Sequence, residues 1–150
     1  MDWPLPEWES EPSHLLLVKG RPQPQPRHRH WSKGKVSGTY DPAKDAKECF
    51  AAIVHEHAPT IPYDEPLRID IAFYFDRPKS HYGSGRNADT LKTSAPSDHT
   101  KKPDKDNLAK FVMDALSGLY WRDDAVIVTG EVSKQYSTEP RTEIRIYRRT

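Results

Sequence analysis

The chain has 150 residues, a formal net charge of +1 and one cysteine, a length that fits one domain with a real core but not two. Hydrophobic content of 35% and a mean hydropathy of −0.89, with a longest apolar run of six residues from Cys49 to Val54, exclude a membrane-spanning helix, which needs ~20 apolar residues. A lone cysteine excludes an internal disulfide and fits a reducing, cytoplasmic setting, and no secretory signal is visible among the opening acids, tryptophans and prolines.

Residues 1–13, rich in proline and acid with Trp3 and Trp8, predict a flexible tail ahead of a domain spanning 14–150. Leu15-Leu16-Leu17-Val18 predicts a short buried strand. No acid occurs between Glu11 and Asp41, while Lys19, Arg21, Arg27, Arg29, Lys33 and Lys35 all fall there with His28, His30 and Trp31 among them. This basic loop, 20–40, suits a polyanion, because each phosphate contact releases counterions; a solvated proline-rich loop is the bland alternative.

Asp41 as cap and Pro42 at the first position predict a helix running to about His57, with Ala46, Phe50, Ile53 and Val54 on its inner face. The strongest strand signal is 67–75, where Leu67, Ile69, Ile71, Phe73 and Phe75 alternate with Arg68, Asp70, Ala72 and Tyr74. Residues 79–101 lack periodicity and predict a mobile loop. A second helix is expected over roughly 106–117, with Leu108, Phe111, Val112, Ala115 and Leu116 as its buried stripe and Gly118 ending it. Val126 to Tyr136 and Thr142 to Tyr147 predict two strands joined by a polar turn around Thr138-Glu139-Pro140, a C-terminal antiparallel hairpin. The sum is a single small α/β (α+β) domain, a mixed sheet of about four strands with two main helices.

The densest chemistry lies at Lys102-Pro103-Asp104-Lys105-Asp106-Asn107-Leu108-Ala109-Lys110, followed past the helix by Asp123-Asp124. Crowded carboxylates repel and raise the pKa of at least one unless a cation intervenes, and hard oxygen ligands with room for water are what Mg2+ prefers. Asp104 and Asp106 can converge where a loop bends into a helix, and Asp124 could return to the same end of the sheet. Lys110, one turn inside the helix, could then reach a phosphate. Such an arrangement suits metal-assisted phosphodiester chemistry.

Each residue also has a duller explanation. Asp106 also reads as an N-cap, worth ~1 kcal/mol; Lys110 as its i,i+4 surface partner, worth ~0.3–0.5 kcal/mol; Asp123-Asp124 as turn residues. A cap needs one charged group, and five are present. Other motifs fail. Ala109 and Ala115 stand where a calcium loop needs glycine and glutamate. The His28-x-His30 and His55-x-His57 pairs lack zinc spacing. Gly83-Ser84-Gly85 has no strand-to-helix context.

The Lys102–Lys110 block, then Asp114-Ala115-Leu116, then Trp121-Arg122-Asp123-Asp124, resembles the signature of RusA-type Holliday-junction resolvases. The resemblance extends upstream to Gly20-Arg21-Pro22 and Tyr40-Asp41-Pro42 and downstream to Lys134, about residues 14 to 148 in all. It implies a structure-specific endodeoxyribonuclease of DNA recombination and repair, a homodimer that cuts four-way junctions by paired nicks with Mg2+, or Mn2+ as a substitute. By that match Asp104, Asp106 and Asp124 are the metal-binding aspartates and Lys110 the catalytic lysine, while Asp123 is a neighbouring acid of supporting rank. Arg21, Arg27, Arg29, Lys33, Lys35, Lys102 and Lys134 are the implied DNA contacts. The implied reaction is in-line attack of water on the scissile phosphate, leaving 5′-phosphate and 3′-hydroxyl ends. No membrane or small-molecule cofactor is implied, and the setting is a bacterial or phage-infected cell. Two alternatives remain at this level: a metal-dependent nuclease for another branched, flap or RNA structure, and a non-catalytic junction-binding protein.

Overall fold

The computed structural model describes residues 3–26 and 29–150, with Arg29 described by its backbone alone. In chain order the elements are β1 (His14–Lys19), β2 (Arg29–Lys33), β3 (Val36–Tyr40), α1 (Lys44–Val54), β4 (Leu67–Phe75), α2 (Lys105–Leu116), β5 (Ile127–Thr129), β6 (Val132–Tyr136) and β7 (Arg141–Arg148). The expected mixed α+β architecture is present, with five strands in the main sheet rather than about four.

β4 is central because its sequence asks to be. Its alternation puts Leu67, Ile69, Ile71, Phe73 and Phe75, each at most 2% exposed, on one face. β7 pairs antiparallel along one edge, matching Ile69 with Ile146 and Ile71 with Ile144, and β1 closes that side antiparallel to β7. β5 and β6 lie successively along the other edge of β4, both parallel to it. The polar turn at Thr138-Glu139-Pro140 does reverse the chain, so β6 and β7 run antiparallel. They do not bond to each other, however, because β4, the most completely apolar strand, lies between them. The expected simple hairpin is therefore split.

The predicted single strand over 126–136 is interrupted at Gly130, whose φ is +153°. A Cβ there would stand 1.8 Å from Ile69 O, so only glycine permits the approach. Asp70 secures the junction, its Oδ1 accepting from Glu131 N–H at 3.0 Å.

α2 covers the apolar face of the sheet with Leu108, Phe111, Val112 and Leu116. Burial of each such side chain contributes about 1.5–3 kcal/mol. α1 packs on α2, Phe50 meeting Phe111 edge-to-face at 5.7 Å. α1 starts at Lys44, two residues past Pro42, and passes into a 3-10 turn at His55–His57. Asp41 still caps this corner, accepting from Ala43 N–H at 2.9 Å. Ile53, expected inward, is 59% exposed, because the core face of α1 is the narrow stripe of Ala46, Phe50 and Val54. β1 is half-buried rather than buried: Leu16 and Val18 point inward while Leu15 and Leu17 face out, as an edge strand with one covered face requires.

The segment read as a tail runs back along β7, with Glu9 N–H donating to Arg148 O at 2.9 Å and the Arg149 guanidinium 3.7 Å from the Trp8 ring centre. The 79–101 stretch contains 3-10 turns at Lys79–His81 and Gly85–Asn87. His99 stacks flat on Phe75 with 3.9 Å between ring centres. Among the described residues no helix is long and apolar enough to cross a membrane.

Candidate active site

α2 begins where the acids are. Asp104 is its N-cap residue, in extended conformation, but its side chain makes no capping bond. Asp106 lies in the first turn, where the helix's N-terminal partial charge favours an anion. Both are exposed, as is Lys110 one turn on. The surface i,i+4 pair that would explain Asp106 and Lys110 away is absent. Among the described residues neither these two nor Asp104 enters an ion pair or side-chain hydrogen bond.

Two distant residues hold this turn in place. Lys134 Nζ, on β6, donates to the carbonyls of Lys101 and Pro103, each at 2.7 Å. Gln25, buried at the root of the basic arm, donates its backbone N–H to Asn107 O at 2.9 Å. Beside Gln25 opens a cleft of about 370 Å3 lined by Pro24, Gln25, Lys102, Pro103, Asp104 and Asn107. The arm therefore leaves the domain beside the acidic helix start, an adjacency that sequence spacing did not reveal.

Asp124 opens a 3-10 turn, Asp124–Val126, three residues after the buried Trp121. The Trp121 indole N–H donates to Asp124 Oδ1 at 3.1 Å. Burial pushes the Asp124 carboxyl up; the indole bond partly offsets this, and the nearby Asp114 and Asp123 carboxylates add to the rise. Asp114 lies in the third turn of α2. Lys47 Nζ, from α1, sits 3.3 Å from Asp114 Oδ2 and 2.5 Å from Asp41 Oδ2. Asp123 turns away to cap the 3-10 turn, accepting from Ala125 N–H at 2.9 Å.

The carboxylates thus fall into two sets along one helix. Asp104 and Asp106 share its first turn. Asp124 joins Asp114, which lies eight residues beyond Asp106 and so about 12 Å further along the axis. Among the described residues no three His, Cys, Asp or Glu side chains stand close enough together to hold a metal ion. The Asp104–Asp106 pair still fits Mg2+ in donor chemistry, since that ion is commonly held by one or two carboxylates with water and substrate phosphates completing its shell.

The basic arm is a two-stranded ribbon rather than a loop. β2 and β3 pair antiparallel, Trp31 opposite Gly38, with the indole lying over the glycine. Lys33 and Lys35 flank its tip, both exposed. Lys102 is exposed at the acidic turn. Arg21 is exposed too, 3.9 Å from an equally open Asp76. Arg27 and His28 lie outside the described residues, as does the side chain of Arg29. Residues that sequence reasoning did not assign to the site are Gln25, Lys47, Asp114 and Trp121. Asp114 and Trp121 stood inside recognised motifs, whereas nothing marked Lys47 or Gln25.

Residues 19–147 match the family model described as endodeoxyribonuclease RusA. A similar curated protein is the uncharacterized protein YqaN of Bacillus subtilis (strain 168), 36% identical over 132 residues, which cover 87% of this chain and 88% of that one. With an acid-bearing helix start, a basic ribbon beside it and a match running through nearly all of the sheet, the chain belongs to the RusA endodeoxyribonuclease family.

Proposed function

We propose that the protein resolves four-way DNA junctions by paired, symmetric, Mg2+-dependent nicks, acting as a homodimer in DNA recombination and repair. The observation that carries this reading is the state of Asp104, Asp106 and Lys110: three charged groups at one helix start, exposed and without protein partners among the described residues. Groups kept for folding are capped or paired; these are left for a ligand.

Asp104 and Asp106 would hold Mg2+; Asp124, the third carboxylate that the family resemblance implies, stands in the second set with Asp114, further along α2. When bound, the ion polarises a phosphoryl oxygen, assists deprotonation of the attacking water and steadies the leaving oxygen. Lys110 places an ammonium one turn inside the helix, where it offsets charge building on the phosphate. Lys33, Lys35 and Lys102, with Arg21, Arg27 and Arg29, supply the cationic surface that draws the DNA backbone in. Gln25 and Lys134 keep the arm root and the acidic turn in register. Two opposed strands need two nicks, and a two-fold dimer presents two identical sites.

Asp104→Asn and Asp106→Asn test this. Each is expected to reduce junction cleavage by about 100-fold or more while junction binding stays equal or tightens, because a negative charge has been removed beside phosphate. Wild-type cleavage in both variants, or cleavage that merely follows thermal stability, contradicts the reading.

A further inference from the structure

The ribbon of β2 and β3 forms its own two-stranded sheet, apart from the five-stranded one. Its register sets Trp31 opposite Gly38 and Lys33 opposite Val36, and Tyr40 lies two residues beyond Gly38. Side chains two apart on a strand share a face. Trp31, Lys33, Val36 and Tyr40 therefore stand on one side of the ribbon, with His30, Ser32, Ser37 and Thr39 on the other. The first side is apolar yet open: Trp31 is 44% exposed, Tyr40 48% and Val36 59%. An isolated two-stranded ribbon is marginal in water, and an exposed apolar face of this kind marks a site of contact.

Gly38 explains how the indole lies. A Cβ there would stand 2.8 Å from the ring at Nε1 and Cε2, so only glycine lets the ring rest flat across the neighbouring strand. With one face on Gly38 and nearly half of the residue exposed, the ring offers its other face outward. Its surroundings are cationic. No acid occurs between Glu11 and Asp41, and the exposed Lys33 and Lys35 flank the ribbon tip, which draws a phosphate backbone close. An open aromatic face beside a phosphate backbone suits a nucleobase, because every base has a π-face on which such rings stack. In an unbroken duplex those faces are covered by neighbouring pairs. At a branch point the terminal pair of an arm can present one.

We propose that Trp31 recognises the branch: its indole, laid flat by Gly38, stacks on a base face exposed at the branch point of the DNA. This rests on the resolvase reading and names the feature that sets a junction apart from linear duplex. The placement suits the role. Gln25 is tied to Asn107 at the acidic helix start, and Trp31 follows six residues later. That length of chain reaches at most about 21 Å, so the indole lies within about six nucleotide steps of the tie.

The test uses the full chain with a four-way junction and a linear duplex of matched sequence, in EDTA so that no strand is cut. Trp31→Leu keeps an apolar side chain on Gly38 but removes the π-face. Gly38→Ala keeps the indole but forces it off the strand. Each is expected to weaken junction binding by about tenfold or more, and Trp31→Phe by less than about threefold. Duplex affinity should change by less than about threefold in all of them, and the salt slope should hold, because no phosphate contact is lost. Adding the junction to the wild type should quench indole fluorescence, a quench that Trp31→Phe lacks. Equal weakening on junction and duplex, or none on either, overturns the proposal. So does a changed oligomeric state of Trp31→Leu in sedimentation, since the ribbon face would then join two copies of the chain. If Trp31→Leu does not fold, Gly38→Ala and the fluorescence of Trp31→Phe decide. A wild type that binds the junction no better than the duplex defeats the resolvase reading, and the proposal with it. A wild-type preference that survives whole in Trp31→Leu overturns the stacking alone.

Discussion

Trp121 donates its indole N–H to Asp124 Oδ1 across 3.1 Å, joining a fully buried side chain to a candidate catalytic carboxylate. The bond holds Asp124 where burial and the neighbouring Asp114 and Asp123 disfavour its charge, so its folded pKa lies above the unfolded value. A raised carboxyl pKa contributes stability only below the unfolded pKa, and that contribution is lost as pH rises through the folded one. At neutral pH ionised Asp124 is therefore destabilising. Asp124→Asn keeps an acceptor for Trp121 without the charge, so its Tm at pH 7 should exceed that of the wild type while junction cleavage is lost. The Tm gap should close as the pH falls below the folded pKa. A lower Tm at pH 7 would show that the carboxylate is structural.

Lys134 places two of its donors on main-chain carbonyls of the turn that precedes Asp104. Lys134→Met removes both bonds, a stability cost of about 1 kcal/mol, and frees the turn. Cleavage should fall by about tenfold or more, with the slope of junction affinity against salt unchanged. A slope shallower by about one would instead make Lys134 a phosphate contact.

His14 and His99 both have pKa values lowered from 6.5, in each case first by burial and then by nearby cations: Arg148 for His14, Lys134 and Arg21 for His99. In both the folded chain disfavours the charged form, so the unfolded state binds more protons below pH 6.5. The stability they support is complete above that pH and lost as pH falls through their folded values. Thermal unfolding from pH 8 to pH 5 should show Tm falling below about 6.5. His99→Phe, which preserves the stack on Phe75, should flatten the fall; an identical slope would remove His99 from the account.

Gly130 is expected to be among the least replaceable residues outside the site. Gly130→Ala combines a φ of +153° with a Cβ 1.8 Å from Ile69 O, in the centre of the sheet. It should lower stability by about 3 kcal/mol or more, read from urea midpoints. A loss under about 1 kcal/mol would mean the β5–β6 junction adapts freely.

Local periodicity made much of this fold legible. The alternation of β4 and the stripe of α2 are properties of neighbouring residues, and the Asp104–Lys110 block is contiguous, so both were readable before any coordinates. What escaped depends on partners far apart in the chain. β4 separates β6 from β7 because sheet order is decided by which strand is most apolar on its core face, not by which turn is shortest. Ile53 fits the helical pattern yet faces out, since the pattern does not say how wide the covering surface is. The Lys47–Asp114 contact joins residues 67 apart, and the seating of Gln25 against Asn107 brings the basic arm to the acids by a backbone bond that no side-chain pattern announces.

The central claim is metal-dependent cutting of a branched duplex, and one assay reaches it directly. Purified protein is incubated with a synthetic four-way junction and with a linear duplex of matched sequence, in Mg2+ and in EDTA, and the products are mapped on denaturing gels. Symmetric nicks in opposed strands of the junction, only with Mg2+ and absent from the duplex, are the predicted result. Tight junction binding without cleavage in Mg2+ or Mn2+, or equal cutting of the linear duplex, would contradict it.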